Sequence, residues 1–548
     1  MEHSTASKII RSYSSGKPFW LGFAGVASSG LYLLLALRYP LGPSLADPRA
    51  SWASLVGASG LNATIHFAIY LGLTLLYLLI LRLLRTSQEE HTAFPRLQII
   101  LVLGIWLVCS AVLMFVSPMG ESHDIFDYIF RGRMLTEYQA NPLADVPAEF
   151  DLSTPYTRYL AWRKNVDTYG PLWEIASAAV SGSVRQLAQW LGWWDESQPV
   201  CPRSSESCRL LILYISGYRL LAISLAGISG WLIASIVRRV QSSLAPVALA
   251  VWLLNPLTLI ATVVGAHNDA VMLMLVLLSW WLLQRQYPLL AIVVLLLAAH
   301  VKLTALIWLP ACAIWIVWHW GWRRALQIGL VSAALSLVLS WLLYAPFDGW
   351  QTLPRMLEER SAYLANSPWR ILKYLLINHW DWTASSAHRF SIRLSSLLFA
   401  VNALIIPLRT FNLHFRYWRP IDDREGASKL WHVLTAISMS YLLVGSFWFQ
   451  HWYILWALAP AALLPDNQFT RSILPWMTFG ALFSNMAMDF LLATLMNTLP
   501  TLVQYVLVVV MIWGPILLAT AVLALARRDG KRNSLIRALH YHTEHSAR

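Results

Sequence analysis

Residues 98–133 read QIILVLGIWLVCSAVLMFVSPMGESHDIFDYIFRGR, and the change of character part-way along them decides the fold. From 98 to 117 there is no charged residue, and a helix over that stretch rises about 30 Å, the thickness of bilayer hydrocarbon. From Glu121 onward titratable groups crowd together, as expected where a span leaves lipid for the polar interface.

Working outward, apolar runs of about 18 to 24 residues recur along most of the chain. Of its 548 residues 57% are apolar and 13% charged, which identifies lipid as the solvent. The reading is an all-α polytopic membrane protein with about 14 transmembrane helices, since in lipid a helix pairs its own backbone groups. The spans fall near 19–38, 63–84, 98–117, 211–237, 246–264, 267–285, 288–300, 304–319, 325–345, 391–409, 431–447, 452–465, 473–494 and 502–526. The segment 171–192 carries Glu174, Arg185 and Gln186 and reads as an interfacial helix.

Lys8, Arg11 and Lys17 precede the first run, no small-residue cleavage site follows it, and it reads as an uncleaved span. Arg82, Arg85, Arg96, Arg238, Arg239, Arg285, Arg323, Arg324 and the tail from Arg527 fall on one side if both termini are cytoplasmic, as the positive-inside rule requires. The expected order is then a cytoplasmic N-terminus (1–18), transmembrane helices (19–117), an outer loop (118–210), a transmembrane core (211–345), a second outer loop (346–390), further transmembrane helices (391–526) and a basic cytoplasmic tail (527–548). The net charge of +13 lies in short clusters at span ends, which suits membrane lipid headgroups and not nucleic acid. No GxxxxGK[ST] phosphate loop occurs, and the short cytoplasmic loops leave no room for a nucleotide-binding domain. Cys109 and Cys312 lie in apolar runs, whereas Cys201 and Cys208 share an outer polar stretch where an oxidising compartment would permit a disulfide.

Helical spacing from residue 122 places Asp124, Asp127, Tyr128 and Arg131 on one face. A carboxylate there serves as a general base and the arginine meets a phosphate, or the same spacing makes a capped interfacial helix with internal ion pairs. Tyr169-Gly170-Pro171 opens the interfacial segment, and Asn255-Pro256 marks a kink. His267, Asn268 and Asp269 stand in succession between two apolar runs, more polar groups than one helix cap needs. Lys302 is either a snorkelling lysine or a phosphate ligand. Gln450 and His451 interrupt an aromatic belt. Topology gathers these turns on one face, and a base, cations and aromatic platforms together suit sugar transfer from a lipid phosphate.

In the same order along the chain, Ser122-His123-Asp124-Ile125-Phe126-Asp127-Tyr128 with Asn141-Pro142, Tyr169-Gly170-Pro171-Leu172, Asn255-Pro256-Leu257, Gly265-Ala266-His267-Asn268-Asp269-Ala270, Val301-Lys302 and Phe449-Gln450-His451-Trp452-Tyr453 resemble the bacterial polyprenyl-phosphate-mannose-dependent α-mannosyltransferases. That resemblance implies the C-type glycosyltransferase fold with an outer-face active site, a polyprenyl-phosphate sugar donor with mannose as first choice, a glycolipid or glycan acceptor, and inversion at the sugar carbon. It makes Asp124 the general base and puts His267, Asn268, Asp269 and Lys302 near donor or acceptor. His123 stands where a second acidic residue is often found, and Asp127 is an additional one, so the base is Asp124 or Asp127. No metal motif is evident; Mg²⁺ or Mn²⁺ at the acidic residues, or Lys302 or Arg131 alone, would neutralise a phosphate. The alternatives are a secondary transporter, which puts its ionisable groups near the bilayer midplane, and a lipid-linked glycan ligase or flippase.

Overall fold

The computed structural model describes residues 2–45, 60–89, 95–150, 159–194, 209–411, 423–494, 498–518 and 520–521; Cys201 and Cys208 lie outside them. Among the described residues the secondary structure is helical, with two isolated β-bridges, Pro40 to Val116 and Ala365 to Trp448.

Helix α1 (Glu2–Arg38) packs against α2 (Gly60–Glu89) and α3 (Pro95–Leu113). Beyond α3 the chain turns into α4 (Asp124–Thr136), which lies against α5 (Pro171–Trp190), the segment expected at the interface. Next come α6 (Arg209–Val240), α7 (Ala245–Leu253), α8 (Asp269–Gln284) and α9 (Pro288–Ala299). Proline at the first turn starts α3, α5 and α9, where its missing N–H costs nothing.

Among the described residues eight helices are long and apolar enough to cross a membrane, and the bent pair Ser242–Leu253 and Pro256–Val264 makes nine if it is one broken span. The sequence count of about fourteen is higher because it includes runs such as α8 and α9, which form helices too short to qualify alone. From Leu244 to Leu273 every residue is buried, so this all-round apolar stretch is protein core and need not match the bilayer. By contrast α11 (Trp322–Tyr344), which follows α10 (Leu309–Trp320), buries only Ile328, Ser332 and Tyr344 and presents a lipid-facing flank.

The bend of 52° in that pair sits at Asn255-Pro256. Asn255 accepts from Leu257 N–H at 3.0 Å and donates to Thr478 at 3.3 Å, so its side chain caps the helix that restarts at Pro256. A π-helical turn, Ile260–Val264, then ends the span. Fully buried Arg219 of α6 donates to the carbonyls of Met114 (2.6 Å), Val116 (2.7 Å) and Val264 (2.9 Å), satisfying carbonyls at the ends of α3 and the broken span together. This tie brings the start of α4 beside His267.

The segment expected as the second outer loop forms α12 (Leu353–Ala362) and α13 (Pro368–His379) before α14 (Ala384–Phe411), α15 (Asp423–Ser440), α16 (Leu455–Ala462) and α17 (Leu474–Thr494). Asn141 donates to Asp348 at 2.8 Å, Arg355 to the Ala144 carbonyl at 2.7 Å and Asn165 to Glu359 at 2.7 Å, so the two long segments expected outside the membrane are pinned together.

Candidate active site

Close backbone approach builds the site. A Cβ on Gly170 would collide with the His300 carbonyl, and it is glycine that lets Gly170 N–H reach Val301 O and Leu172 N–H reach His300 O, each at 3.0 Å. This docks Tyr169 next to Lys302. Similarly, a Cβ on Gly132 would meet the Ser181 hydroxyl and lie 2.7 Å from the Ser177 carbonyl, so glycine allows α4 to sit on α5. Across the site, Ala365 N–H donates to Phe447 O and Phe449 N–H to Ala365 O, both at 3.1 Å, which fixes the approach to Gln450 and His451.

The elements enclose a cavity of about 270 Å³. Asp124, Asp127, Tyr128, Arg131, Tyr169 and Gln450 line it, so the helical face read from the spacing of α4 does converge on one space. Glu121, Trp162, Asp167, Glu359, Arg360, Tyr363 and Trp448 complete much of the wall. Trp162 stacks edge-on against Tyr363 and Trp448, with centroids 5.1 and 5.5 Å away, and forms an aromatic platform of the kind that packs on sugar rings.

Most of the cavity carboxylates are already committed. Glu121 is buried and accepts from His451 at 2.7 Å, with His267 at 3.5 Å. Burial alone would raise its pKa, but the two imidazoles outweigh that and hold it down at about 2. Asp127 uses both oxygens on the backbone N–H groups of Ala161 (3.2 Å) and Trp162 (3.1 Å), which makes it the anchor of the loop. Burial pushes it up to about 7, aided by the nearby Asp124 charge and opposed by Arg131 and those two amides. Asp167 faces Arg131 at 3.3 Å, so the arginine pairs across the cavity wall and not with Asp127 one turn back. Asp124 differs: Oδ1 accepts from the Trp162 indole at 3.3 Å, Oδ2 lies 3.7 Å from His267, and the side chain stays 13% exposed to the cavity.

Five of the expected residues form a second layer behind this wall. Lys302 is 1% exposed, not snorkelling, and its ammonium sits 3.1 and 2.9 Å from the Asp269 oxygens, above the Tyr453 ring at 4.8 Å. Asp269 also accepts from the Trp456 indole at 2.6 Å, so its charge is spent. His267 is sandwiched on Trp452 with centroids 3.7 Å apart, reached through Ala266 in the left-handed region at φ 48°. Asn268 is buried beside it, and His451 is held by Glu121. The expectation of free donors and acceptors at 267–269 fails at Asp269, but the Asn268 amide and both ring nitrogens of His267 have no hydrogen-bond partner among the described residues. Among the described residues no group of three or more His, Cys, Asp or Glu is placed to hold a metal ion.

The family model described as "Alpha-(1->6)-mannopyranosyltransferase, N-terminal domain" matches residues 20–320, more than half of the chain. The chain belongs to the alpha-(1->6)-mannopyranosyltransferase family. Its relatives include alpha-(1->6)-mannopyranosyltransferase A of Corynebacterium glutamicum, 28% identical over 222 residues, which are 38% of this chain and 37% of that protein. The protein of the same name from Mycobacterium tuberculosis is 28% identical over 250 residues, 42% of this chain and 43% of the relative. The chain thus spans about two fifths of the length of the curated relatives it matches. Family similarity covers Asp124, the His267 to Asp269 turn and Lys302, whereas Arg360, Gln450 and His451 lie beyond residue 320.

Sequence reading of this mannopyranosyltransferase-family chain passed over Glu121, Trp162, Asp167 and Arg360. Glu121 carried a signal, an acidic residue at the end of an apolar run, but its partner His451 is 330 residues away. Glu174, read as a mark of the interface, is fully buried, and burial together with Asp167 pushes its carboxyl well above the usual range.

Proposed function

We propose that the chain is a membrane α-mannosyltransferase that takes mannose from a polyprenyl phosphate and joins it to a hydroxyl of a glycolipid or glycan, with inversion, on the outer face of the cell membrane. The observation that carries this is the commitment pattern of the cavity: Asp124 is loosely held and stays partly exposed to the cavity, while Glu121, Asp127 and Asp167 are each buried against close partners. Asp124 takes the proton of the acceptor hydroxyl; the oxygen forms its bond to the anomeric carbon as the bond to the phosphate oxygen breaks, and the electron pair leaves on polyprenyl phosphate. His267, stacked on Trp452 and 3.7 Å from Asp124, orients the carboxylate. The aromatic platform at Trp162, Tyr363 and Trp448 holds a sugar ring beside it. The relatives' printed linkage supports a 6-hydroxyl as the acceptor group.

The proposed orientation, with both termini cytoplasmic, gains support at the far end of the bundle. Asn62 at the start of α2 accepts from Arg38 at 2.6 Å, near the site end, while Arg85 at the other end donates to Pro465 O at 2.8 Å among the basic residues assigned to the inside. The test is incubation of the purified protein with radiolabelled polyprenyl-phosphate sugars and a membrane lipid extract. Label should move from the mannose donor, and movement from a different sugar alone would refute the choice of mannose.

A further inference from the structure

Three cations surround the cavity, the buried Arg131 and Lys302 and the half-buried Arg360, and the first two are neutralised by the protein. Arg131 faces Asp167 at 3.3 Å and also donates to the carbonyls of Asn165 and Pro142. Lys302 is held by both oxygens of Asp269 behind the wall. Arg360, on the last turn of α12, lines the cavity with no carboxylate within 4 Å among the described residues. Its neighbour Glu359 spends its carboxylate on Asn165 at 2.7 Å.

The surroundings of Arg360 are neutral hydroxyls. Its guanidinium lies among the phenols of Tyr441, Tyr453 and Tyr169 and against the Tyr441 hydroxyl. Guanidinium offers N–H groups and no acceptor, and neither the Tyr441 nor the Tyr453 hydroxyl has a protein acceptor among the described residues. A half-buried cation on the cavity wall with no counter-charge from the protein is complementary to an anion with several oxygens. Sequence reading placed the phosphate at Lys302 or Arg131, whose charges are already compensated in the fold.

We infer that Arg360, with the hydroxyls of Tyr441 and Tyr453, binds the phosphate of a prenyl-phosphate lipid. The inference rests on the transferase reading for the role of that phosphate, as leaving group, but not for its binding. The second outer segment therefore supplies the anion subsite and the first supplies Asp124, and the hydrogen bonds at Asn141, Arg355 and Asn165 register one against the other.

The experiment titrates purified full-length protein in nanodiscs with sugar-free polyprenyl phosphate, with uncharged polyprenol, with inorganic phosphate and with phosphatidylglycerol. Arg360→Gln should weaken polyprenyl phosphate about 10- to 100-fold, the range for loss of a charge-assisted hydrogen bond, and leave polyprenol unchanged. Arg360→Lys should recover part of the loss, because a point charge replaces the fork. Should Arg360→Gln fail to fold, Tyr441→Phe and Tyr453→Phe test the same subsite by removing one hydroxyl each, and either should weaken the phosphate lipid. Equal binding of polyprenyl phosphate by wild type and Arg360→Gln overturns the inference, and so does an equal loss for phosphatidylglycerol, which would make the site a general lipid-headgroup contact. Binding of inorganic phosphate as tight as that of the lipid overturns the lipid assignment. Arg360-dependent binding in a protein that transfers no sugar would sink the transferase reading and leave the anion site standing, whereas normal transfer with Arg360-independent binding does the reverse.

Discussion

Asp124→Asn and Asp127→Asn separate catalysis from architecture, because the two aspartates are one helical turn apart yet differently committed. At position 124 the amide keeps an oxygen for the Trp162 indole at 3.3 Å, loses only the 3.7 Å approach to His267, and stays partly exposed, so stability should change by less than about 1 kcal/mol. Basicity is lost, and turnover should fall about 10² to 10⁴-fold with the donor's KM little altered. At position 127 both oxygens accept backbone N–H groups, and an amide offers only one oxygen. One of the Ala161 and Trp162 amides is then left facing a second donor, at a cost of about 1–3 kcal/mol. Asp127→Asn should accordingly lower the unfolding temperature, and its rate loss should shrink when the assay is cooled. Initial rates against donor concentration, beside thermal unfolding of the same preparations, check both. Near-normal turnover in Asp124→Asn, or a rate loss confined to a fully stable Asp127→Asn, would refute the reasoning.

Glu121→Gln replaces a charged hydrogen bond to His451 with a neutral one and should destabilise the protein by about 2–3 kcal/mol, read by thermal unfolding. Because Glu121 is held at about 2 against an ordinary 4.5, its stabilisation is full above pH 4.5 and is lost as pH falls toward 2; the Gln variant should lack that component of acid sensitivity in unfolding curves. Gly170→Ala should disrupt the docking of Tyr169 on His300 and Val301, and reduced activity with a lowered unfolding temperature is the expected result. Cys201 and Cys208 should react with a membrane-impermeant thiol reagent on intact cells, after mild reduction if they are bridged, and labelling only in broken cells would overturn the proposed orientation.

What the sequence conveyed was local. The apolar span expected at 98–117, whose helix runs Pro95–Leu113, the proline start at Pro171 and the helical face of Asp124, Asp127, Tyr128 and Arg131 all depend on neighbours within a turn or a span. Partnerships were not legible. Spacing offered ion pairs within the helical face itself for Arg131, but the fold brings Asp167 from the loop after it. Lys302 looked solitary in an apolar run because Asp269 stands 33 residues earlier. Arg219 carries no local signal of its role, and only the ends of α3 and the π-helical turn, brought together by packing, give it three carbonyls. Arg360 belongs to a segment with no motif at all, and its significance comes from the absence of a carboxylate near it, which no linear pattern records.

The central claim is that the sugar comes from a lipid phosphate and that Asp124 activates the acceptor. The most direct measurement offers delipidated, purified protein labelled mannose as either a polyprenyl phosphate or a nucleotide sugar, together with an acceptor glycolipid, and follows the label in wild type and Asp124→Asn. The account predicts transfer from the polyprenyl phosphate by wild type, almost none by the variant, and none from the nucleotide sugar by either. Efficient transfer from the nucleotide sugar with no prenyl phosphate present, or undiminished transfer by Asp124→Asn, would contradict it.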